Sequence, residues 1–309
     1  MPAQKTSLLI SVVGPTAIGK TSTAIKIAQA VGCEILSADS RQFYKEMRIG
    51  TAVPSTAELA AVPHHFIQHI SIQQDYTVGQ FERDALEWLE QWFAENPTAV
   101  MVGGSGLYVD AVNKGLDQFP EIGPGIRDGL NRELKEKGIQ SLQQKLSGLD
   151  PEYFDRVDRD NPHRLIRALE VCMASGKPYS SFLNKPRTPR PFKTLLIGLD
   201  APREVIYDRI NQRVDLMVEA GLVEEARSLF EFRALNALQT VGYRELFDHF
   251  EGRTDLKTAI ENIKMNTRRF AKRQGTWFRK NPDIKWIPYD SSQEELLSLV
   301  EIWAKEARA

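Results

Sequence analysis

The chain has 309 residues, 42% of them hydrophobic and 26% charged, with a formal net charge of −1. Those proportions describe a soluble globular protein able to bury a proper core as one large domain or two smaller ones. No leading apolar stretch and no run of membrane-spanning length occur, so a cytoplasmic protein without membrane contact is expected, and two distant cysteines, Cys33 and Cys172, exclude a disulfide framework and a zinc module and read as buried small side chains.

In chain order, Leu8-Leu9-Ile10-Ser11-Val12-Val13 reads as a buried strand. It runs into Gly14-Pro-Thr-Ala-Ile-Gly-Lys-Thr21, which satisfies the phosphate-cradling pattern G-x-x-x-x-G-K-[ST] at every fixed position. Apolar residues at helical spacing over Thr21–Val31 predict the helix the loop needs behind it. Glycines let successive backbone N–H groups turn inward, the helix N-terminus adds positive potential, Lys20 supplies a mobile charge, and Thr21 offers a hydroxyl to phosphate or magnesium. Nucleoside triphosphates and other diphosphates suit such a loop equally well. A second strand, Glu34–Ala38, delivers Asp39 where open α/β sheets gather their ligand-contacting groups. Asp39 could hold a hydrated magnesium or act as a base, or Asp39 or Ser40 could simply cap a following turn. His64, His65 and His69 lack further ligands and suggest a loop or structural role; no transition metal is expected.

Helical spacing over Val78–Ala94 and a strand over Ala99–Val102 precede Val102-Gly103-Gly104-Ser105-Gly106-Leu107-Tyr108, where Ser105 either contacts the phosphate-bearing ligand or starts a helix. Between Leu116 and Phe192 the strand signal gives way to Pro-punctuated helical pieces (125–137, 139–147, 161–175). Strands resume at Thr194–Leu199 and Lys285–Ile287 among helices at 202–219, 223–230, 255–278 and 294–307. The expectation is an α/β fold, a mostly parallel sheet flanked by helices on both faces, discontinuous over 1–116 and 192–309, with a helical insertion domain at 117–191 and a cleft between core and insertion. From Lys264 to Lys285 eight cations face a single acid, Asp283, with Trp277 and Phe278 among them. That stretch suits RNA phosphates and bases, or is a solvated helix face.

These motifs in this order resemble the transfer RNA dimethylallyltransferases, also called isopentenyl transferases. The resemblance rests on the phosphate loop, Ala38-Asp-Ser-Arg-Gln-Phe-Tyr44, Ile49-Gly-Thr-Ala52, Gly103-Gly-Ser-Gly-Leu-Tyr108, His163-Arg-Leu-Ile-Arg-Ala-Leu-Glu170, Thr240-Val-Gly-Tyr-Arg-Glu245 and Arg269–Arg279. It departs at Ser105, where the family usually has Thr, and at Val53, where it often has Lys, and the eukaryotic zinc-finger extension is absent.

The resemblance implies a P-loop NTPase-like sheet and a magnesium-assisted prenyl transfer. The group passes from dimethylallyl diphosphate to the exocyclic N6 of the adenosine 3′ of the anticodon in tRNA, on a monomeric enzyme. By the same carry-over, Gly14, Thr16, Gly19, Lys20 and Thr21 hold diphosphate, Thr21 with magnesium, while Asp39 is the base and Ser105 and Arg213 assist the leaving group. The tRNA anticodon stem-loop would meet Asp39, Ser40, Arg41, Gln42, His163, Arg164, Arg167, Gln239, Thr240, Gly242, Tyr243, Arg244, Lys272, Arg273, Gln274, Trp277 and Arg279, its target base extruded. Competing readings are a P-loop nucleoside or nucleotide kinase, with ATP in the loop, and a nucleotide-gated RNA-binding protein without prenyl chemistry.

Overall fold

In the computed structural model, which describes residues 6–185 and 188–308, β1 (Leu8–Val13) is buried along its whole length, as a strand is when helices cover both faces of its sheet. Leu8, Ile10 and Val12 join one core layer and Leu9 and Val13 the other, the period-two alternation of a pleated strand. Helix α1 (Lys20–Val31) begins after Gly19, whose φ of 106° is strained for any residue with a Cβ. Then follow β2 (Ile35–Ser37), α2 (Thr56–Ala61), β3 (His64–His65), α3 (Val78–Glu95), β4 (Thr98–Gly103) and α4 (Gly106–Lys114). Capping boxes start α2, from Ser55 and Glu58, and α3, from Thr77 and Gln80, each satisfying two otherwise orphaned N–H groups.

The chain forms two compact units, one running to Lys114 and resuming at Arg190, the other Gly115–Pro189. The second unit holds α5 (Ile126–Lys137), α6 (Ile139–Leu149), α7 (Pro151–Arg156) and α8 (Pro162–Ser175), with no strand among its described residues. Leu130, Leu142, Leu146, Leu165 and Leu169 give it a core of its own. The buried Glu170 carboxylate takes both Nε and Nη2 of Arg127, at 2.6 and 2.7 Å, a bidentate pairing that satisfies a charge otherwise costly to bury.

The first unit continues with β5 (Lys193–Asp200), α9 (Arg203–Glu219), α10 (Leu222–Ser228), α11 (Tyr243–Phe250), α12 (Leu256–Phe278), β6 (Lys285–Pro288) and α13 (Gln293–Arg308). Its six strands pair in the order β3-β2-β4-β1-β5-β6, every pair parallel. Helices α1 and α13 cover one face through Ala24, Ile27, Leu296 and Val300. The other is covered by α3, α4 and α10–α12 through Phe81, Val109, Leu222, Tyr243 and Ile263.

Register places the site. Val13 lies level with Gly103 and Gly198, and Ser37 with Val102, so the loops after β1, β2 and β4 leave the same carboxyl edge of the sheet, where such sheets bind ligands.

Some elements were not among those expected, the short helices α2 and α7 among them. The pair His64–His65, expected in a loop or structural role, is an edge strand, held by His65 Nε2 against a Glu34 carboxylate oxygen at 2.6 Å and by its ring against Trp88. Two residues are too few to show a period. Helix α4 takes up the helix start that Ser105 offered, while α11, which follows Gly242 in a motif read for chemistry, was not expected. Both cysteines are buried and free. Among the described residues no helix is long and apolar enough to cross a membrane.

Candidate active site

Two cavities open at that edge, both lined by the first unit alone. One, about 570 Å³, is walled by the phosphate loop and start of α1 (Thr16, Ala17, Gly19, Lys20, Thr21), by Ser37 at the end of β2 with Asp39 and Gln42 beyond it, by Glu58 of α2, and by Arg213 of α9. The other, about 380 Å³, is walled by Asp39, Ser40 and Arg41, by Gly50–Ala52, by Gly104–Tyr108, and by Met217, Thr240–Gly242, Phe270, Arg273, Gln274 and Trp277. Thr16, Asp39, Thr51, Ala52 and Arg213 belong to both walls, so Asp39 and Arg213 stand where the cavities meet.

In the loop cavity Lys20 Nζ donates to the Pro15 carbonyl at 2.8 Å. Burial pushes the ammonium down to about 8, with Asp39 acting to raise it and Arg213 to lower it. Burial also draws the Arg213 guanidinium below its ordinary value, opposed by Glu58 and Asp39, but a guanidinium starts so high that it keeps its charge. The cavity therefore holds two cations against two carboxylates, Asp39 and Glu58, the latter engaged by the Ser55 N–H and hydroxyl, and the helix N-terminus with its inward N–H groups is what suits it to a polyanion. A magnesium ion fits in one way only. Among the described residues no cluster of three His, Cys, Asp or Glu side chains could cage a metal, but Thr21 and Asp39 face one cavity, and magnesium commonly takes one or two protein oxygens, with waters and substrate phosphates completing its shell.

Asp39 is half-buried. Its Oδ1 accepts the Arg41 backbone N–H at 3.1 Å, an Asx turn that fixes the side chain, and no hydrogen bond engages Oδ2 among the described residues. One carboxylate thus both caps a turn and keeps an oxygen free for a proton. Ser105 precedes α4 and lines the second cavity. Its Oγ accepts from the Ser40 backbone N–H at 3.2 Å and shares a hydrogen bond with Ser40 Oγ at 3.1 Å. Arg41 and Gln42 are spent internally: Arg41 Nη1 donates to the Ala237 carbonyl at 3.0 Å, and Gln42 Nε2 to the Ala52 carbonyl at 2.9 Å.

The second cavity has an apolar rim. Leu107, Phe270 and Trp277 are 46%, 38% and 44% exposed, large faces left open at a polar edge and suited to a flat heterocycle. Trp277 Nε1 donates to Asp110 Oδ2 at 2.9 Å, which fixes the indole. Gln274 is only 7% exposed. Its Oε1 accepts from Thr16 N at 2.9 Å and its Nε2 donates to the Gly104 carbonyl at 2.9 Å, so this amide ties the phosphate loop to the glycine turn. A Cβ on Gly104 would fall 2.4 Å from Gln274 Nε2; only glycine admits the bridge.

The remaining RNA-facing expectations divide. Thr240, Gly242 and Arg273 line the second cavity, while Lys272 and Arg279 line a separate groove. Gln239 and Arg244 are exposed. His163 and Arg164 are exposed and Arg167 half-buried on α8 of the other unit, Arg167 with its guanidinium 4.9 Å from the centre of the Phe119 ring. Tyr243 is withdrawn from the surface: it is fully buried, and its hydroxyl donates to Glu225 Oε1 at 2.6 Å, because the hydrophobic face of α11 turns into the core.

Sequence reasoning missed Glu225 of α10. Its carboxylate also accepts the backbone N–H groups of Arg48, Ile49 and Gly50 at 3.0, 2.8 and 2.9 Å, holding the loop that walls the second cavity. Nothing local could signal this, since its backbone partners lie about 175 residues away.

A family model described as IPP transferase matches residues 42–281. A tRNA dimethylallyltransferase of Christiangramia forsetii is 60% identical, across 95% of this chain and 97% of its own. That of Flavobacterium johnsoniae is 54% identical, across 94% and 96%. Among solved structures, the full-length tRNA isopentenylpyrophosphate transferase of Bacillus halodurans superposes with a TM-score of 0.73 at 34% identity, over 97% of both chains. A eukaryotic dimethylallyltransferase captured acting on tRNA shares the fold, with a TM-score of 0.83 at 23% identity, over 97% of this chain and 80% of that one.

Proposed function

We infer the reaction from one premise: the chain belongs to the IPP transferase family. It transfers the dimethylallyl group of dimethylallyl diphosphate to the exocyclic N6 of the adenosine 3′ of the anticodon in tRNA, releasing diphosphate. The observation that carries this reading is the shared wall of the two cavities, which offers a polyanion site on one side, a flat-ring site on the other, and Asp39 between them.

The diphosphate lies against Gly14, Thr16, Gly19, Lys20 and Thr21, with Arg213 reaching it from α9. The adenine, extruded from its loop at a cost of a few kcal/mol, enters past Trp277 and Phe270. The N6 lone pair attacks C1 of the prenyl group as the C1–O bond breaks, the electron pair leaves on the bridging oxygen, and Asp39 Oδ2 takes the N6 proton. Lys20 and Arg213 offset the charge that grows on the leaving diphosphate, the preorganised kind of stabilisation that costs no reorganisation during reaction. Ser105 orders the turn at Ser40 beside Asp39. Magnesium, held by the Thr21 hydroxyl with waters and the diphosphate oxygens completing its shell, would add further charge compensation to the diphosphate.

His163, Arg164 and Arg167 give the second unit its share of the tRNA. We take the enzyme to work as a monomer in the cytoplasm, where its tRNA substrate is found. An Asp39→Ala variant tests the assignment. It should bind both the stem-loop and dimethylallyl diphosphate while its turnover falls by about 10²–10⁴; undiminished turnover would refute Asp39 as the base. A kinase would instead pass phosphate from ATP to an acceptor in the same assay.

A further inference from the structure

Helix α9 presents one face to the phosphate loop. Ile206, Arg209, Ile210 and Arg213 recur at i, i+3, i+4 and i+7, the spacing of residues that share a helix face. Ile206 and Ile210 pack with Ala271 of α12 against Ala17, which the loop holds at a φ of 65°, a left-handed conformation unfavourable for a residue with a Cβ. Arg213 belongs to the walls of both cavities. Arg209, one turn before it and exposed, belongs to neither. Its Nη1 donates to the Ile18 carbonyl at 3.2 Å, and its guanidinium lies 4.6 Å from the centre of the Tyr289 ring. Tyr289 is fixed in turn to the end of β5, its backbone N–H donating to the Asp200 carbonyl at 2.9 Å.

The Ile18 carbonyl is a telling partner for a cation beside an anion site. In a planar trans peptide the C=O and the following N–H point in opposite directions, so a carbonyl drawn out to Arg209 turns the Gly19 N–H the other way, and Gly19 walls the loop cavity. Gly19, at a φ of 106°, is also where that peptide could turn over most easily, since no Cβ restrains it. A reversed peptide would present an oxygen to a bound phosphate in place of a hydrogen. Stacking on Tyr289 limits the freedom of the guanidinium and keeps it at the carbonyl.

We propose that Arg209 is a positioning residue of the transfer, which holds the Ile18 carbonyl outward and so keeps the Gly19 N–H aimed at the diphosphate, with Tyr289 as its brace. The proposal rests on the reaction inferred above for the identity of the anion. Two arginines on one face of α9 then divide the work: Arg213 reaches the anion, and Arg209 acts on it through the backbone of the loop.

Binding of inorganic diphosphate by the full chain, measured by calorimetry, tests this without any transfer. Arg209→Ala should weaken it about tenfold and raise the KM for dimethylallyl diphosphate by a similar factor, while the KM for the stem-loop stays as it is. Arg209→Lys, whose ammonium can meet the carbonyl but cannot stack on the ring as a planar group, should fall between the two. Because Tyr289 acts only through Arg209, Tyr289→Ala should weaken binding in the wild-type background and add nothing to Arg209→Ala. In protein labelled with 15N-glycine, the Gly19 amide proton should move downfield when diphosphate binds, and much less in Arg209→Ala. Undiminished diphosphate affinity in Arg209→Ala would overturn the proposal. So would a weakened affinity with the Gly19 shift intact, which would make Arg209 a direct contact. Wild-type protein that binds diphosphate but transfers nothing to the stem-loop would sink the inferred reaction, while the diphosphate affinities still judge Arg209.

Discussion

Asp39, Lys20 and Glu225 show how differently single residues disclose their work. Asp39 and Lys20 are legible because their partners are close in sequence or belong to a pattern with one known physical use. Lys20 carries a testable consequence. With its ammonium pushed down to about 8, the free enzyme loses the charge that receives diphosphate as pH rises through that value. The kcat/KM for dimethylallyl diphosphate should therefore fall about tenfold per pH unit above 8. Bound diphosphate holds the proton on, so kcat should fall only at higher pH; parallel losses of kcat and kcat/KM would contradict this. Glu225 had no local signal, yet one carboxylate satisfies three backbone donors and a phenol. Glu225→Ala leaves those donors unpaired and should cost about 2–3 kcal/mol of stability in denaturant unfolding. The substitution also frees the 48–52 loop, so the KM for RNA should rise more than the KM for dimethylallyl diphosphate.

At the scale of elements, long amphipathic segments and the apolar strands were readable because one face of each must be buried. β1 is the clearest case, and Leu9→Ala, which empties a fully buried position between sheet and helices, should cost about 2–5 kcal/mol, measured by urea titration. What stayed hidden were elements with too little local pattern: β3, which exists through pairing with β2, and α11, which begins inside a glycine motif. The double use of α12 was hidden too. Its basic residues announce RNA, but Gln274 on the same helix braces the phosphate loop. Gln274→Ala removes the partner of Thr16 N–H and of the Gly104 carbonyl, and at about 1–1.5 kcal/mol for such a loss the KM for dimethylallyl diphosphate should rise roughly tenfold. A change confined to the KM for RNA would show that the amide serves the acceptor instead.

Across the whole molecule, alternation of strands and helices disclosed the parallel α/β core, and the loss of strand signal after Leu116 disclosed a helical segment. Strand order and register were beyond reach, because β1 pairs with β4 and β5 from far along the chain and no local pattern names such partners. The separate core of Gly115–Pro189 predicts that Leu146→Ala raises hydrogen exchange in α5–α8 first, leaving the central strands protected. Uniform acceleration through the sheet would instead show one cooperative body. Everything nonetheless converges on two cavities that meet at Asp39, and the most direct measurement is transfer itself. Purified protein is incubated with magnesium, labelled dimethylallyl diphosphate and an unmodified anticodon stem-loop, without ATP, beside a loop whose target adenosine is replaced by guanosine. The account predicts label on the adenosine loop alone, with diphosphate released in equal amount; no label on any adenosine-containing loop, with phosphoryl transfer from ATP once it is supplied, would contradict it.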